Sequence, residues 1–500
     1  MDDKLEHIYN EIVKEIISGK IKNSWDLETN KIALAKEYAI GNIPRNADII
    51  LSLPSMNLEK EQEKKIKQFL QTKPVRTLSG VANIAVMWSG DCDGNCIYCP
   101  NVEGIPRSYT GKEPATMRAQ RNMFDASRQI NNRLKQLRAI GHPVEKCELI
   151  IMGGNFLVIS EKERNKFMKD CLKTFEKEKS KIIGLTFETR PDFCNDKNIK
   201  WMLDAGCTRV EIGAQSTDDE ILEKVQRGHT NKDTKDAIKK LKDAGLKVCL
   251  HWMPGLTGIN GKIDIQKEIN DFKELFTIDY SPDELKIYPV LVIPVTKLHE
   301  MWKDGSYDAL TNEQTMKLLI ELKKFVPEYV RIKRIMRDIP EQLVEHGPRT
   351  TNLRQLVQEV MKKTGQKCKC IRCREVREAH VDEKTVKLDK IEYTGSGKRE
   401  IFLQFVSEGK IIGFLRLRLE DDKALVRELH VYGPMLEIGE KSENNDKQHK
   451  SYGQRLLKEA EKITKSSNCS KIQITSGIGV RKYYEKLGYK LEKPYMTKKL

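Results

Sequence analysis

Between about residues 80 and 290, short apolar runs alternate with longer segments of helical periodicity, and this confines that part of the chain to strand–helix units around a parallel sheet. The runs fall at 83–87, 148–152, 182–188, 209–213, 247–251 and 284–288. Six strands, each followed by a helix, predict an α/β architecture in the form of an incomplete (β/α)6 barrel. A barrel of this kind carries its chemistry at the carboxyl ends of its strands, so polar residues there are the first candidates for function. At 500 residues the chain exceeds what one core serves. Residues 1–75 read as a basic helical region with Ile12, Val13, Ile16 and Ile17 on one face and Lys20, Lys22 and Lys31 suited to a polyanion such as tRNA, residues 76–330 as the barrel, and residues 331–380 as a basic linker. In residues 381–500 the period changes. Runs at 401–406, 411–417 and 426–431 read as antiparallel strands, 437–450 as a loop, 453–464 as a helix, 471–475 as a strand and 480–487 as a helix, which together make a second α/β module.

Twelve cysteines would suit a disulfide framework only in an oxidising compartment. The start of the chain is charged and no apolar run approaches bilayer length, so the expectation is a soluble cytoplasmic protein with no membrane partner. Spacing is then the informative quantity. Cys92, Cys96 and Cys99 form a C-x3-C-x2-C group in the loop after the first strand, and Cys368, Cys370 and Cys373 form a C-x-C-x2-C group in the linker. The remaining cysteines sit among apolar neighbours as small hydrophobes. Three thiolates in one short loop can hold three irons of a [4Fe–4S] cube and leave the fourth open. An open iron can chelate the amino and carboxylate groups of S-adenosylmethionine, and an electron passed to the sulfonium then releases a 5′-deoxyadenosyl radical. Zinc would need a fourth ligand, and the loop contains neither a histidine nor a fourth cysteine.

The strand ends agree with a nucleoside-bearing cofactor. Gly153-Gly154 follows the second strand, where backbone must approach a ligand closely. Glu188 and Arg190 end the third strand, Gln215 follows the fourth, and His251 closes the fifth. A formal net charge of +16 points to a polyanionic partner, because Lys and Arg on phosphates gain affinity by releasing counterions.

These residues resemble one family, the catalytic subunit of Elongator and its stand-alone archaeal and bacterial counterparts, the tRNA uridine acetyltransferases. The strings that carry the resemblance include Cys96-Ile97-Tyr98-Cys99-Pro100, Thr186-Phe187-Glu188-Thr189-Arg190-Pro191-Asp192, Arg227-Gly228-His229-Thr230, Met253-Pro254-Gly255-Leu256 and Arg337-Asp338-Ile339-Pro340. In the last module they include Glu428-Leu429-His430-Val431-Tyr432-Gly433 and Arg481-Lys482-Tyr483-Tyr484-Glu485-Lys486-Leu487-Gly488-Tyr489. The resemblance spans nearly everything beyond residue 70. It implies a radical S-adenosylmethionine barrel fused to a GNAT-type acetyltransferase domain, acting at C5 of the tRNA wobble uridine. The radical would take hydrogen from the methyl group of acetyl-CoA, and the carbon would add to the base to leave a carboxymethyl group after thioester hydrolysis. Such a reaction also requires a one-electron donor.

The resemblance implies the site residues of the second half as well. Glu428, Leu429, His430 and Val431 match the strand that binds the pantetheine arm. Lys447, Gln448, His449, Ser451 and Gly453 match the pyrophosphate loop at a helix start, an anion site by virtue of its free N–H groups. Lys146 matches a CoA contact in the barrel, and Tyr484, beside Tyr483, matches a tyrosine near the thioester. Cys368, Cys370 and Cys373 match a zinc site, and Arg331, Lys333, Arg334, Arg337, Arg372, Arg374 and Arg377 make a basic stretch suited to tRNA phosphates. The chain departs from the family at Asn101, Asn155, Ser451 and Pro294-Val295. Two other readings stay open: a protein-lysine acetyltransferase with a structural cluster, and a tRNA-binding protein without turnover.

Overall fold

The computed structural model describes residues 3–72, 77, 79–90, 92–350, 352–377, 381–432 and 447–500, without the side chains of residue 3 and of residues 447–451. The chain begins with four helices, Asp3–Ile17, Ser24–Glu37, Asn46–Ser52 and Lys60–Leu70, whose apolar stripes meet in a small core around Ile8, Ile12, Leu27, Ile49, Ile66 and Leu70. The periodicity that marks these helices in the sequence is the one that packs them. No helix among the described residues is long and apolar enough to cross a membrane.

Seven strands then form one parallel sheet in chain order: β1 (Ala82–Met87), β2 (Lys146–Met152), β3 (Lys181–Thr189), β4 (Arg209–Gln215), β5 (Lys247–Trp252), β6 (Glu284–Ile287) and β7 (Arg331–Ile335). Every neighbouring pair is parallel, as the connecting helices require. The helices start on strong caps, with Asp125 accepting from Arg128 N and with capping boxes at Ser160/Glu163 and Thr230/Asp233. β7 extends the sheet beyond the six expected strands. Its Leu285↔Ile332 pairing with β6 means that the stretch expected to be a basic linker starts inside the barrel.

A second sheet, ordered β13-β14-β12-β11-β10-β9-β8, follows: β8 (Lys387–Gly395), β9 (Lys398–Ser407), β10 (Lys410–Leu419), β11 (Lys423–Val431), β12 (Lys471–Ile474), β13 (Lys490–Glu492) and β14 (Tyr495–Lys499). One face carries Leu403, Leu415 and Val426 against Tyr452, Leu456 and Ala460 of the helix Lys447–Ser466. The opposite face, with Phe402, Ile411, Phe414 and Tyr432, joins the core of the barrel.

The seam between the two domains is built of fully buried charge. Arg427 donates to both carboxylate oxygens of Asp283, at 2.5 and 2.8 Å, and to Glu400 at 2.5 Å. Arg418 donates to Glu400 at 2.8 Å and pairs with Asp243, while Arg416 donates to Glu428 at 2.9 Å and to the Tyr329 carbonyl at 2.6 Å. Burial pushes the Asp283 carboxyl up, but Arg427 and Arg416 outweigh it and hold the group far below the usual carboxylate range. This lattice fixes the acetyltransferase-like module beneath the amino ends of β5, β6 and β7.

Candidate active site

At the carboxyl end of β1, Gln129 clamps the strand by accepting from Met87 N at 2.9 Å and donating to Met87 O at 2.7 Å. The chain leaves this fixed point into the loop that carries the three cysteines. Cys99 N donates to Cys96 O at 3.1 Å, and Ile97 N to Val225 O at 3.2 Å, which holds the loop over β4. Arg227, fully enclosed, donates twice to Gly213 O, at 2.7 and 3.2 Å, and once to Cys96 Sγ at 3.5 Å. Hydrogen bonding from Cys99, together with the Arg227 charge, overcomes burial and holds the Cys96 thiol down at about 5. Gly94 sits where a side chain would meet Arg190 Nη1 at 3.1 Å and Cys92 Sγ at 3.4 Å, so the loop closes tightly only with glycine there.

The loop roofs a cleft of roughly 1210 Å³, counting its open mouth, over the carboxyl ends of β2 to β6. Gly153 has φ +106°, and a Cβ there would lie 2.7 Å from the Trp88 carbonyl; Gly154 follows at φ +56°. Asn155 uses Oδ1 to accept from Thr189 at 2.9 Å and from Leu157 N at 3.3 Å, and its buried Nδ2 has no partner among the described residues. Gln215, at φ +69°, likewise has Oε1 unpaired among them. Buried polar atoms rarely stay unpaired, so an orphan donor and an orphan acceptor in one cleft mark a place for a polar ligand. Glu188 accepts from Lys286 Nζ at 3.0 Å and from the Tyr109 hydroxyl at 3.4 Å. Arg190, expected on the ligand, lines the cleft and is braced there by its neighbours. It donates to Asp192 at 3.0 and 2.7 Å and to Gly228 O at 3.1 Å, and pairs with Asp93 at 3.3 Å.

Below the cleft the inner face of the sheet is charged. Lys286 is paired with Glu211, Arg209 with Glu148, and Lys333 lies 3.6 Å from both Glu211 and Glu284. At the foot of this column Lys247 donates to Glu428 of β11 at 3.0 Å. Sequence reasoning missed the column because Arg209/Glu211 and Glu284/Lys286 look like the solvated faces of half-buried strands. The signal was there: these strands are flanked by helices, so their second face could not be solvent.

In the second module, β11 is in register with β12 only as far as Val426↔Ile474. Glu428, Leu429, His430 and Val431 continue paired to β10 alone, and their other backbone edge is open among the described residues. Glu428 is held by Arg416 and Lys247, and His430 packs between Phe414 and Tyr432 at 5.7 and 4.4 Å. The helix begins at Lys447, so the last four residues of the stretch read as a loop, 447–450, are helical, and the rest of it, 437–446, lies outside the described residues. The side chains of Lys447, Gln448, His449 and Ser451 lie outside them too. Gly453 faces Val431 and the Tyr483 hydroxyl, each 3.6 Å from a Cβ placed there. Tyr484 is buried among core residues with its hydroxyl pushed up by burial, while the exposed Tyr483 stands beside Gly453, so it is Tyr483 that borders the open strand edge. Lys146 opens β2 opposite Lys181, next to the segment 477–480 of the second module.

The basic stretch divides. Arg334 and Arg337 line the cleft mouth, Arg337 over the Tyr109 ring. Arg372 and the half-exposed Arg377 share Glu375. Arg331, Lys333 and Arg374 do not form the expected outer surface. Strand alternation turns Arg331 and Lys333 inward, Arg331 onto Tyr432 and Glu375 and Lys333 onto the charged column, while Arg374, at the end of the short helix Ile371–Arg374, is spent on Gln404 and the Glu328 carbonyl. Cys368, Cys370 and Cys373 converge, their sulfurs within 4.8 Å of one another.

Sequence-family profiles match the chain in four segments: the Elongator subunit amino-terminal domain family at 5–78, the Radical SAM superfamily at 86–266, the Radical_SAM C-terminal domain at 282–363 and the Acetyltransferase (GNAT) family at 357–489. A protein of Methanocaldococcus infernus named tRNA uridine(34) acetyltransferase is 42% identical over 100% of this chain and 100% of its own length. Elongator complex protein 3 of Schizosaccharomyces pombe is 39% identical over 98% of this chain and 97% of its own. Among solved structures, the archaeal Elp3 of Methanocaldococcus infernus with an N-terminal deletion superposes with a TM-score of 0.72 at 39% identity, covering 84% of this chain and 99% of that one.

Proposed function

Because the chain belongs to the family of the tRNA uridine(34) acetyltransferases and Elongator complex protein 3, we infer that it is a radical S-adenosylmethionine enzyme that moves the acetyl carbon of acetyl-CoA onto the wobble uridine of tRNA. The observation that carries this reading is that three cysteines of one loop line a polar, partly unpaired cleft, in a domain joined by buried ion pairs to the module with the splayed β11 edge.

The donor set fits the cofactors. Cys92, Cys96 and Cys99 would hold a [4Fe–4S] cluster, and the Gly153-Gly154 cradle with Asn155 Nδ2 and Gln215 Oε1 would hold the polar end of S-adenosylmethionine. Bound there, the pair supplies the hydrogen-abstraction chemistry that an unactivated acetyl methyl needs. The chain's own groups do the rest. Arg227 keeps Cys96 ionised, Arg190 locks the loop to Asp192 and Gly228, and Lys286 fixes the Glu188 carboxylate at the cleft wall. Introducing a methyl at Gly153 presses on the Trp88 carbonyl, so Gly153→Ala is expected to weaken S-adenosylmethionine binding at least about tenfold, which corresponds to about 1.4 kcal/mol, in anaerobic equilibrium dialysis.

The open edge of Glu428–Val431, Gly453 and Tyr483 are the proposed acetyl-CoA contacts, with Lys146 reaching them from the barrel. Arg334 and Arg337 are the proposed phosphate contacts for tRNA, whose uridine must leave its stack to enter the cleft. Cys368, Cys370 and Cys373 are proposed to hold zinc with one further ligand, a donor set suited to a structural site. Cys370→Ser is expected to release one zinc per chain and lower the melting temperature, checked by metal analysis and calorimetry.

Anaerobic assay of reconstituted protein with tRNA, S-adenosylmethionine, a reductant and labelled acetyl-CoA tests the reading. Label in uridine supports it. Label in protein lysines, or in nothing while tRNA still binds, overturns it.

A further inference from the structure

The family reaction as proposed above leaves one requirement that no residue has yet met. Joining a carbon to C5 of uracil puts a second substituent on an atom that already carries hydrogen, and the ring's double bond returns only when that hydrogen departs as a proton. A base must therefore stand in the cleft. We propose that His251 is that general base, with Nδ1 accepting the C5 proton and Glu211 as the positioning residue that presents it.

The geometry has the parts of an oriented histidine. His251 closes β5 and lines the cleft, and its Nε2 is 3.1 Å from Glu211 Oε2 on the neighbouring β4. An ionised Glu211 only accepts, so Nε2 carries the proton and Nδ1 keeps its lone pair. Glu211 is kept ionised by Lys286, which is ion-paired to the same carboxylate, and by Lys333 and Arg209 behind it. Nδ1 makes no hydrogen bond among the described residues. The Tyr288 ring stands edge-on at 5.4 Å and holds the imidazole plane. The other titratable groups facing the ring are already engaged. Glu188 accepts from both Lys286 and Tyr109, and the buried Cys249 thiol is pushed up by its enclosure and by Glu211. Burial first, then Lys286, lower the His251 pKa against the opposing pull of Glu211 and Glu188, so the ring is neutral at physiological pH. Cys249, Glu211 and His251 also have ligand atoms within 4.8 Å of one another, but the Lys286 ammonium occupies the position a metal cation would need at Glu211.

The step balances. The C–C bond forms from the acetyl-derived carbon radical and one electron of the C5–C6 double bond, leaving one electron on C6. The C5–H bond then breaks with its proton going to Nδ1. Of the three electrons left on the ring, two re-form the double bond and the third passes to a one-electron acceptor of the iron–sulfur class.

Two measurements test this. In 15N-histidine NMR of the metal-free protein, His251 should show a bare Nδ1 and a protonated Nε2 at neutral pH, and Glu211→Gln should abolish that preference. In anaerobic single turnover, His251→Gln should still form 5′-deoxyadenosine, while substituted uridine falls by about 100-fold or more, the usual range for loss of a general base. Glu211→Gln should lower the same step less and shift its pH profile. If wild-type protein forms neither product, the functional reading itself fails. If wild type forms both and His251→Gln forms substituted uridine at the wild-type rate, or if the NMR tautomer is the reverse, the base is not His251.

Discussion

Replacing Cys96 by alanine is expected to abolish 5′-deoxyadenosine formation down to the protein-free blank while leaving acetyl-CoA binding and the melting temperature close to wild type. Cys96 is the most firmly held of the three thiols: it takes a hydrogen bond from Arg227, whose other donors are locked on the Gly213 carbonyl, and its own carbonyl accepts from Cys99 N. It is also the thiol whose proton is lost most easily, at about 5, and a thiolate is the form that binds iron. Two remaining cysteines cannot hold a cube with one open corner. The loop belongs to a small satellite core with Val225, Met253 and Leu256, separate from the core beneath β11, so the loss is chemical and local. Iron analysis and absorbance of the reconstituted protein, with 5′-deoxyadenosine counted by chromatography, check it.

The second large effect is on stability. Arg427→Met should destabilise the folded chain by about 3–5 kcal/mol, because Asp283 and Glu400 would keep their burial and lose the cation that compensates it. The loss is read from denaturant unfolding, and the double variant Arg427→Met with Asp283→Asn should recover part of it by removing the stranded charge. The sign with pH follows from the direction of the shifts. Asp283, Glu400 and Glu428 are all held below their ordinary pKa, so the stability they contribute is complete above the usual carboxylate range and is lost as pH falls through their depressed values. Arg427→Met should therefore flatten the acid limb of the stability curve as well as lower its plateau.

How much of this was legible in the sequence depends on whether a residue's meaning lay in its type or in the direction it faces. The first six strands of the barrel and four strands of the second sheet, β9 to β12, read directly from apolar runs. β7, Arg331–Ile335, reads as a basic stretch because only Ile332 and Ile335 are apolar, and its charges are paired inside the barrel. β8 is missed for the opposite reason: an edge strand with an exposed Leu388 and alternating charge has only Ile391 and Tyr393 turned to the core, too few to announce it. The cysteine trio, the glycine pair and His251 were visible because their chemistry is in the residue type. The division of the arginines was not, since the same guanidinium is a phosphate ligand at Arg337 and a domain rivet at Arg374. Pro294-Val295 is instructive in another way. Val295 carries φ +68°, a conformation that glycine adopts freely, at a strain of roughly 1–2 kcal/mol for a side-chain-bearing residue.

The claim on which the rest depends is that both halves of the chain act on one carbon. It is tested by running the anaerobic reaction with acetyl-CoA trideuterated on its methyl group and weighing both products by mass spectrometry. Transfer of one deuterium to 5′-deoxyadenosine, with two retained in the new substituent of uridine, is the expected result. Unlabelled 5′-deoxyadenosine formed alongside deuterated lysine, or uridine that gains no label while acetyl-CoA is consumed, would contradict it.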